Sequence, residues 1–260
     1  MINLRTQREI VKLQDAAKIS AQALLVAGEL CKPGVTTWEI DKAVEKFIVS
    51  QKAEPSFLNY QGFPASSCIS VNDTVIHGIP SKDIVLKSGD IVSVDVGAFY
   101  NGYHGDNAYT FKVGEVSEEL EKLLETTQNS LYSGISQAIV GKRIGDISSA
   151  VEKTVEVCGY GVVREFVGHG VGKNLHEDPE VPNFGMAGKG PRLAAGMVIA
   201  IEPMITMGDR NVYMMPDRWT IRTRDGKPAA HFEHTIVVRR GEAEILSSFD
   251  ELESIVGKIS

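Results

Sequence analysis

The chain has 260 residues, of which 43% are hydrophobic, and its 34 acidic and 27 basic side chains give a net charge of −7. This composition indicates a globular protein and disfavours a nucleic-acid-binding class, whose members usually present a basic face. No run of 18 apolar residues predicts a membrane span, and three scattered cysteines predict neither a disulfide framework nor a zinc knuckle.

Helical patterns open the chain. Apolar residues recur at spacings of three and four over 6–30 and predict an amphipathic helix, which Pro33 and Gly34 end. A capping box from Thr36 to Glu39 predicts a second helix that runs to about Gln51. Strand-like runs then follow, the last of them over 90–100 and 103–113.

The same order of helices and strands returns in the second half, with predicted helices over 116–140 and 145–158 and predicted strands over 162–167, 196–205 and 232–239. A shift of 107 residues places Ala43-Val44-Glu45-Lys46 on Ala150-Val151-Glu152-Lys153, and the apolar run that ends at Asp95 on the run that ends at Glu202. We therefore expect two similar halves, roughly 6–113 and 114–245, related by a pseudo-two-fold axis. With no low-complexity linker between them, they should form a single domain over 1–260.

Two aspartates converge in the first half. Asn101-Gly102 is a strong two-residue hairpin signal, and with these as turn residues Asp95 lies opposite Ala108. Asp106 is then diagonal to Asp95 on the same face, with Cβ atoms roughly 6–8 Å apart. Like charges this close need a cation between them, or one carboxyl must be protonated.

The second half offers two matching acids. Glu202 takes the place of Asp95, and the strand predicted to pair with its own carries Glu233. A two-fold axis would bring all four carboxylates together, and two divalent metal ions would relieve their repulsion.

His169 is the best candidate for a nitrogen ligand, because the glycines on both sides of it permit close backbone approach. The same segment does not match a phosphate-binding loop, since Asn174 follows Lys173 where that motif needs Ser or Thr.

Five segments of the chain together resemble the type I methionine aminopeptidases: CISVNDTVIHGIP, GDIVSVDVGAFYNGYHGDNAYTF, VGHGVGKNLHEDPEVPNFG, GMVIAIEPM and FEHTIVV. The resemblance covers nearly the whole chain. It implies the α/β pita-bread fold, in which two pseudo-symmetric halves form an antiparallel sheet covered by helices around a dinuclear metal site. It also implies removal of the initiator methionine from nascent polypeptides whose second residue is small and uncharged.

Carried over residue by residue, the resemblance assigns the metal ligands. Asp95 would bind one ion with both oxygens, Asp106 and Glu233 would bridge the two ions, and His169 and Glu202 would bind the other. A metal-activated hydroxide would attack the first peptide bond, with Glu202 taking a proton from the water. The ions could be Co, Mn, Fe or Zn, because carboxylate and imidazole ligands accept any of them.

The resemblance also assigns substrate-binding residues. His77 would contact the substrate amide and assist the leaving group, and His176 would polarise the scissile carbonyl. The slot for the methionine side chain would be formed by Phe57, Tyr60, Phe63, Cys68, Leu175 and Trp219. Phe57 and Leu175 stand where other members often carry different residues.

The implied partners are nascent peptide N-termini, with association at the ribosome, and the protein is expected to be a monomer without a nucleic-acid or membrane partner. The absence of a recognisable targeting segment predicts a cytoplasmic location.

Two alternatives stay open. One is an X-Pro aminopeptidase or prolidase of the same fold, although those generally carry an additional N-terminal domain. The other is a pita-bread protein that only binds proteins or nucleic acid, although such members lose metal ligands.

Overall fold

The computed structural model describes residues 1–259; Ser260, which the predicted single domain also includes, lies outside the described residues. The helices are α1 (Gln7–Leu30), α2 (Thr37–Ser50), α3 (Glu118–Ile135), α4 (Ile144–Glu156) and α5 (Asp250–Val256). The predicted starts of α1 and α2 are confirmed, because Thr6 and Thr36 cap them in capping boxes with Glu9 and Glu39.

The strands are short except for two. In chain order they are β1 (Glu54–Pro55), β2 (Cys68–Val71), β3 (Thr74–Ile76), β4 (Ile91–Tyr100), β5 (Tyr103–Lys112), β6 (Gly161–Val162), β7 (Gly168–Gly170), β8 (Glu177–Val181), β9 (Val198–Ile201), β10 (Met204–Thr206), β11 (Val212–Met214), β12 (Ile221–Thr223), β13 (Ala229–His231), β14 (Glu233–Val237) and β15 (Glu244–Ile245).

Within residues 1–259, nine strands form one antiparallel sheet in the order β1-β4-β5-β14-β9-β7-β8, with β2 paired to β4 and β15 paired to β14. Two three-stranded sheets, β13-β10-β6 and β11-β12-β3, lie beside it. The expected α/β architecture, an antiparallel sheet covered by helices, is confirmed. Helix α1 packs across β4 and β5, and α3 packs against β9, β10, β13 and β14.

The central hairpin has the predicted register. Tyr100 pairs with Tyr103 around the Asn101-Gly102 turn, and Asp95 pairs with Ala108. Both turn residues adopt positive φ, 50° at Asn101 and 84° at Gly102, as a type I′ turn requires. The turn therefore fixes the face on which the aspartates lie.

The predictions for the second half need four corrections. Helix α3 ends at Ile135, because the amides of Gln137 and Ala138 bond to carbonyls three residues back instead of four. The amide of Val140 then bonds to the carbonyl of Arg239. The strand predicted over 162–167 is reduced to β6, and beyond it Arg164 pairs with Glu152 and lies over the ring of Phe184.

The strand predicted over 196–205 is broken at Glu202 and Pro203. Proline has no amide hydrogen to continue a strand ladder, and here the chain passes from β9 in the large sheet to β10 in a small one. Likewise, the strand predicted over 232–239 is observed as β14, with β13 directly before it.

A large apolar core lies between the helices and the sheet. Buried side chains such as Leu24 on α1, Val94 on β4 and Ile199 on β9 belong to it. Each such side chain contributes about 1.5–3 kcal/mol to folding, so the central strands form a rigid base for the residues on their other face. Between Met1 and Ile259 no helix is both long enough and apolar enough to cross a bilayer.

Candidate metal centre and substrate cleft

Three neighbouring strands place two carboxylates in one row. Asp95 on β4 pairs with Ala108 on β5, and Ala108 pairs with Glu233 on β14. Directly opposite residues share a face of the sheet, so the small Ala108 side chain leaves open space between two carboxylates that stand two strand spacings, roughly 10 Å, apart. Asp106, two residues before Ala108, faces the same space.

Glu202 and His169, both from the second half of the chain, complete this group of side chains. His169 Nε2 lies 3.5 Å from Glu202 Oε1 and 3.8 Å from Asp106 Oδ2. Asp106, His169 and Glu233 each offer a ligand atom, and these atoms lie within 4.8 Å of one another. We call the four carboxylates Asp95, Asp106, Glu202 and Glu233 the acidic floor.

The imidazole of His169 is held in one tautomer. Its Nδ1 donates a hydrogen bond of 2.9 Å to the carbonyl of Gly170, so the proton lies on Nδ1 and the lone pair on Nε2. Burial and the neighbouring His176 lower the pKa of His169 to about 3. A neutral imidazole that directs Nε2 at carboxylates has the form of a metal ligand.

The acidic floor has no neighbouring positive charge to compensate its carboxylates. Asp95 Oδ1, Asp106 Oδ1 and Glu233 Oε1 are buried and have no hydrogen-bond partner among residues 1–259. Burial and the neighbouring carboxylates raise the pKa of Asp95 and of Glu233 well above the ordinary values. Of the described residues that line the cleft, none is Lys or Arg. The donor set therefore fits a divalent cation, which would supply the missing positive charge.

Neutral contacts orient the floor residues. The hydroxyl of Thr235 donates to the carbonyl of Asp106 at 2.7 Å and ties β14 to β5 at this point. The side-chain amide of Asn183 donates to the carbonyl of Glu202 at 2.9 Å, where the strand is interrupted by Pro203. Both contacts fix the backbone and leave the carboxylates free.

An apolar cluster borders the floor and holds all six residues expected to form the methionine slot. We call these residues the apolar wall: Phe57, Tyr60, Phe63, Cys68, Leu175 and Trp219. The ring of Trp219 meets the ring of Phe63 edge-on, with 5.2 Å between centroids. Wall and floor line one cleft of about 270 Å³, a volume just below the roughly 300–1,000 Å³ that is typical of small-ligand sites.

The two further histidines also line this cleft. Burial, together with His176, lowers the pKa of His77 to about 4, and burial lowers the pKa of His176. His176 Nδ1 lies 2.8 Å from the Tyr60 hydroxyl, and the two rings stack with centroids 5.3 Å apart. Both imidazoles are therefore neutral near pH 7.

The sequence analysis missed several residues at the site. Ala65 and Ile79 pack with the wall, and Gln61 lines the cleft. His231 is buried, and its unpaired Nε2 lies 3.8 Å from Glu202 Oε2. The position of His231, two residues before Glu233, could have marked it as a site residue. Its approach to Glu202, however, depends on the pairing of β13 with β10.

Comparisons with known proteins agree with this geometry. The model of metallopeptidase family M24 matches residues 11–240. The methionine aminopeptidase of Clostridium acetobutylicum is 50% identical over 247 residues, which are 95% of this chain and 99% of that protein.

Solved structures agree as well. The crystal structure of methionine aminopeptidase from Thermotoga maritima superposes with a TM-score of 0.94 at 44% identity, covering 95% of this chain and 100% of that one. Prolidase from Pyrococcus furiosus gives a TM-score of 0.76 at 25% identity, and the match covers 94% of this chain but 65% of the prolidase. The fold is therefore the pita-bread fold, and the chain belongs to metallopeptidase family M24 and, within it, to the methionine aminopeptidases.

Proposed function

We propose that the protein removes the N-terminal initiator methionine from nascent polypeptides whose second residue is small and uncharged. The observation that carries the proposal is the position of buried, unpaired carboxylates and a neutral imidazole next to an apolar wall in one cleft. The floor suits a metal-dependent hydrolase, and the wall suits an unbranched apolar side chain.

We propose that the floor holds two divalent ions. Asp95, Asp106, His169, Glu202 and Glu233 would be the residues that hold these ions. The grouping of Asp106, His169 and Glu233 supports this assignment. Co, Mn, Fe and Zn all accept such a mixed set of oxygen and nitrogen ligands.

When bound, divalent ions polarise a peptide carbonyl and make a water more acidic. The residues of the chain would supply the other functions. Glu202, whose side chain is 13% exposed, would accept a proton from the attacking water.

The two neutral histidines would act on the substrate. His176 Nδ1 lies 2.8 Å from the Tyr60 hydroxyl. With that hydroxyl as the donor, the proton of His176 would lie on Nε2 and would be donated in a hydrogen bond to the scissile carbonyl as negative charge develops there. His77 would contact the substrate amide and assist the leaving group.

The wall would bind the methionine side chain. Tyr60, Phe63 and Trp219 present aromatic rings, which make favourable contacts with a thioether, and Phe57, Cys68 and Leu175 complete the apolar surface. The second substrate residue, which lies beyond this slot, would have to be small.

We also propose that the chain acts as a single metallopeptidase domain built from two related halves, 6–113 and 114–245. The pairing of β5 from the first half with β14 from the second supports this organisation, because it joins Asp95 and Asp106 to Glu233 in one sheet. From its similarity to methionine aminopeptidases, we further propose that the protein is a cytoplasmic monomer that meets its substrates as they emerge from the ribosome.

A metal titration tests the function. Protein freed of metal with a chelator is titrated with Mn²⁺, Co²⁺, Fe²⁺ or Zn²⁺, and free methionine is measured after incubation with Met-Ala-Ser. We expect no release in chelator and release that saturates with the metal. Met-Leu-Ser and Ala-Pro-Ser serve as control peptides and should be cleaved poorly.

Each result has a defined meaning. Cleavage of Ala-Pro-Ser in preference to Met-Ala-Ser would show an X-Pro peptidase, and no cleavage with any of the four metals would show a non-catalytic binding protein. Either outcome contradicts the proposed function.

A further inference from the structure

The turn that carries His176 is held by a carboxylate outside the cleft. Glu177 accepts a hydrogen bond of 3.2 Å at Oε1 from the amide of Asn174, which closes the turn over 174–177. At Oε2 it accepts a hydrogen bond of 2.8 Å from the side chain of Asn3 and forms an ion pair with Arg5. The same carboxylate therefore joins this turn to the segment that precedes α1.

The ion pair is shielded from water. The side chain of Arg5 is 8% exposed and that of Glu177 is 7% exposed. A Cβ atom at Gly172 would collide with Arg5 Nη2 and Glu177 Oε1, so only glycine leaves room for the pair. Burial alone would raise the pKa of Glu177, but hydrogen bonds from Asn3 and Asn174 together with the charge of Arg5 lower it.

Arg5 is itself fixed in place. Its backbone amide donates to the carbonyl of Gly196 at 2.8 Å, just before β9, and the next residue, Thr6, caps the long helix α1. Its Nη1 also lies 3.9 Å from Glu9 Oε1, and the Tyr103 hydroxyl donates to that same oxygen at 3.0 Å. The guanidinium thus connects a rigid helix end to the turn that bears His176.

We propose that Arg5 is a positioning residue, which fixes the turn presenting His176 to the cleft through its buried ion pair with Glu177. The proposal rests on the proposed function, since His176 is taken to act on the scissile carbonyl. Loss of the guanidinium leaves a buried carboxylate without its cation, and this favours a rearranged turn. A small misplacement of His176 would weaken its contact in the transition state more than in the bound substrate.

A double-mutant cycle tests this coupling. It compares the parent, Arg5→Gln, His176→Ala and the double variant, all loaded with Mn²⁺ and assayed on Met-Ala-Ser. We expect Arg5→Gln to lower kcat about tenfold, within the roughly hundredfold that a 1 Å misplacement can cost, with KM within about twofold. In the His176→Ala background, the same substitution should lower kcat less than about twofold.

A conservative variant separates position from stability. Arg5→Lys keeps the charge but loses the planar fork, and should recover part of kcat. Arg239→Gln is the control, because it removes another arginine–carboxylate pair, with Glu244 at 2.8 Å, that does not touch the turn. It should leave kcat unchanged.

Hydrogen exchange measures the turn without reference to catalysis. In Arg5→Gln, amides over 174–177 should exchange about tenfold faster, with no change in Arg239→Gln. Unchanged exchange, or an Arg5→Gln effect on kcat that is equally large with and without His176, would overturn the proposal. A parent protein that does not release methionine would overturn the proposed function instead, and exchange would still decide whether Arg5 holds the turn.

Discussion

The acidic floor and the apolar wall line the same cleft but have opposite relations to stability. The floor buries carboxylates that repel one another and lack partners, whereas the wall buries rings and aliphatic groups in mutual contact. The floor therefore destabilises the metal-free fold, and the wall stabilises it. Substitutions in the two regions should change activity and stability in different combinations.

The largest effect is expected for Asp106→Asn. Removing one of the carboxylates proposed to hold the metal should lower methionine release by about a thousandfold, because metal-ion catalysis contributes several kcal/mol. The same change relieves repulsion in the floor, so the metal-free variant should be more stable than the parent by about 1–3 kcal/mol. The assay is release from Met-Ala-Ser with Mn²⁺, together with urea unfolding in chelator.

Near-normal turnover of Asp106→Asn would contradict the two-metal assignment. A loss of stability in chelator would contradict the view that the floor is under electrostatic strain. Asp83→Asn, at an exposed loop position, is the control and should change neither quantity.

The pH dependence of stability sharpens the comparison. Burial raises the pKa of Asp95, Glu202 and Glu233 above the ordinary 3.8 for Asp and 4.5 for Glu, so the folded metal-free protein retains protons that the unfolded chain releases. Below about pH 4 these carboxyls are protonated in both the folded and the unfolded chain, so they do not destabilise the fold there. The free energy of unfolding should then fall as pH rises, by about 1.4 kcal/mol per pH unit for each retained proton.

Urea unfolding in chelator between pH 5 and pH 8 measures this slope. Asp106→Asn should make the free energy of unfolding fall less steeply with pH. Saturating Mn²⁺ in place of chelator should reduce this slope further, because the ions bind the deprotonated carboxylates. Stability that rises over this range in chelator would be inconsistent with the raised pKa values.

For the wall, Phe63→Ala should lower stability by about 3 kcal/mol and raise KM, since a buried ring is lost from the slot. Phe111→Ala is a matched control, because Phe63 and Phe111 are both 3% exposed but Phe111 lies in the core away from the cleft. Both variants should lose similar stability in thermal unfolding, and only Phe63→Ala should change KM. Equal KM values in the two variants would show that Phe63 does not line the substrate slot.

The smallest effect concerns support behind the wall. Asp41 is buried on α2 and accepts hydrogen bonds of 2.9 Å from the amides of Ser66 and Ser67, directly before Cys68. Asp41→Asn replaces charge-assisted bonds with neutral ones and should cost about 1 kcal/mol in stability, with KM raised about twofold. Urea unfolding and steady-state kinetics measure both, and an unchanged midpoint would show that the carboxylate charge is unimportant here.

Local signals explain which parts of the structure the sequence predicts. Asn101-Gly102 fixes a tight turn, so the register of Asp95 against Ala108 follows by counting along two strands. The capping boxes likewise fix the starts of α1 and α2, because Thr and Glu three residues apart satisfy each other's backbone amides.

Contacts between distant segments explain the rest. The strand at 162–167 fails because Arg164 finds partners on α4 and on Phe184, and no local pattern encodes them. The approach of His231 to Glu202 and the pairing of Arg5 with Glu177 depend on how separate strands and loops assemble. The hairpin register and the repeat predict that the four carboxylates meet, whereas only the resemblance to a family predicts that His77, His176 and the apolar wall line the same cleft.

Apart from Glu202 in the floor and Cys68 in the wall, the two regions of the cleft also sit on different parts of the scaffold. Asp95, Asp106 and Glu233 lie within strands of the large sheet, whereas Phe57, Tyr60, Phe63, Leu175 and Trp219 lie on connecting segments between strands and helices. Loops accept sequence change more readily than central strands do. Preference for the released side chain can therefore diverge during evolution, or be altered by mutagenesis, while the chemistry of bond cleavage is inherited unchanged.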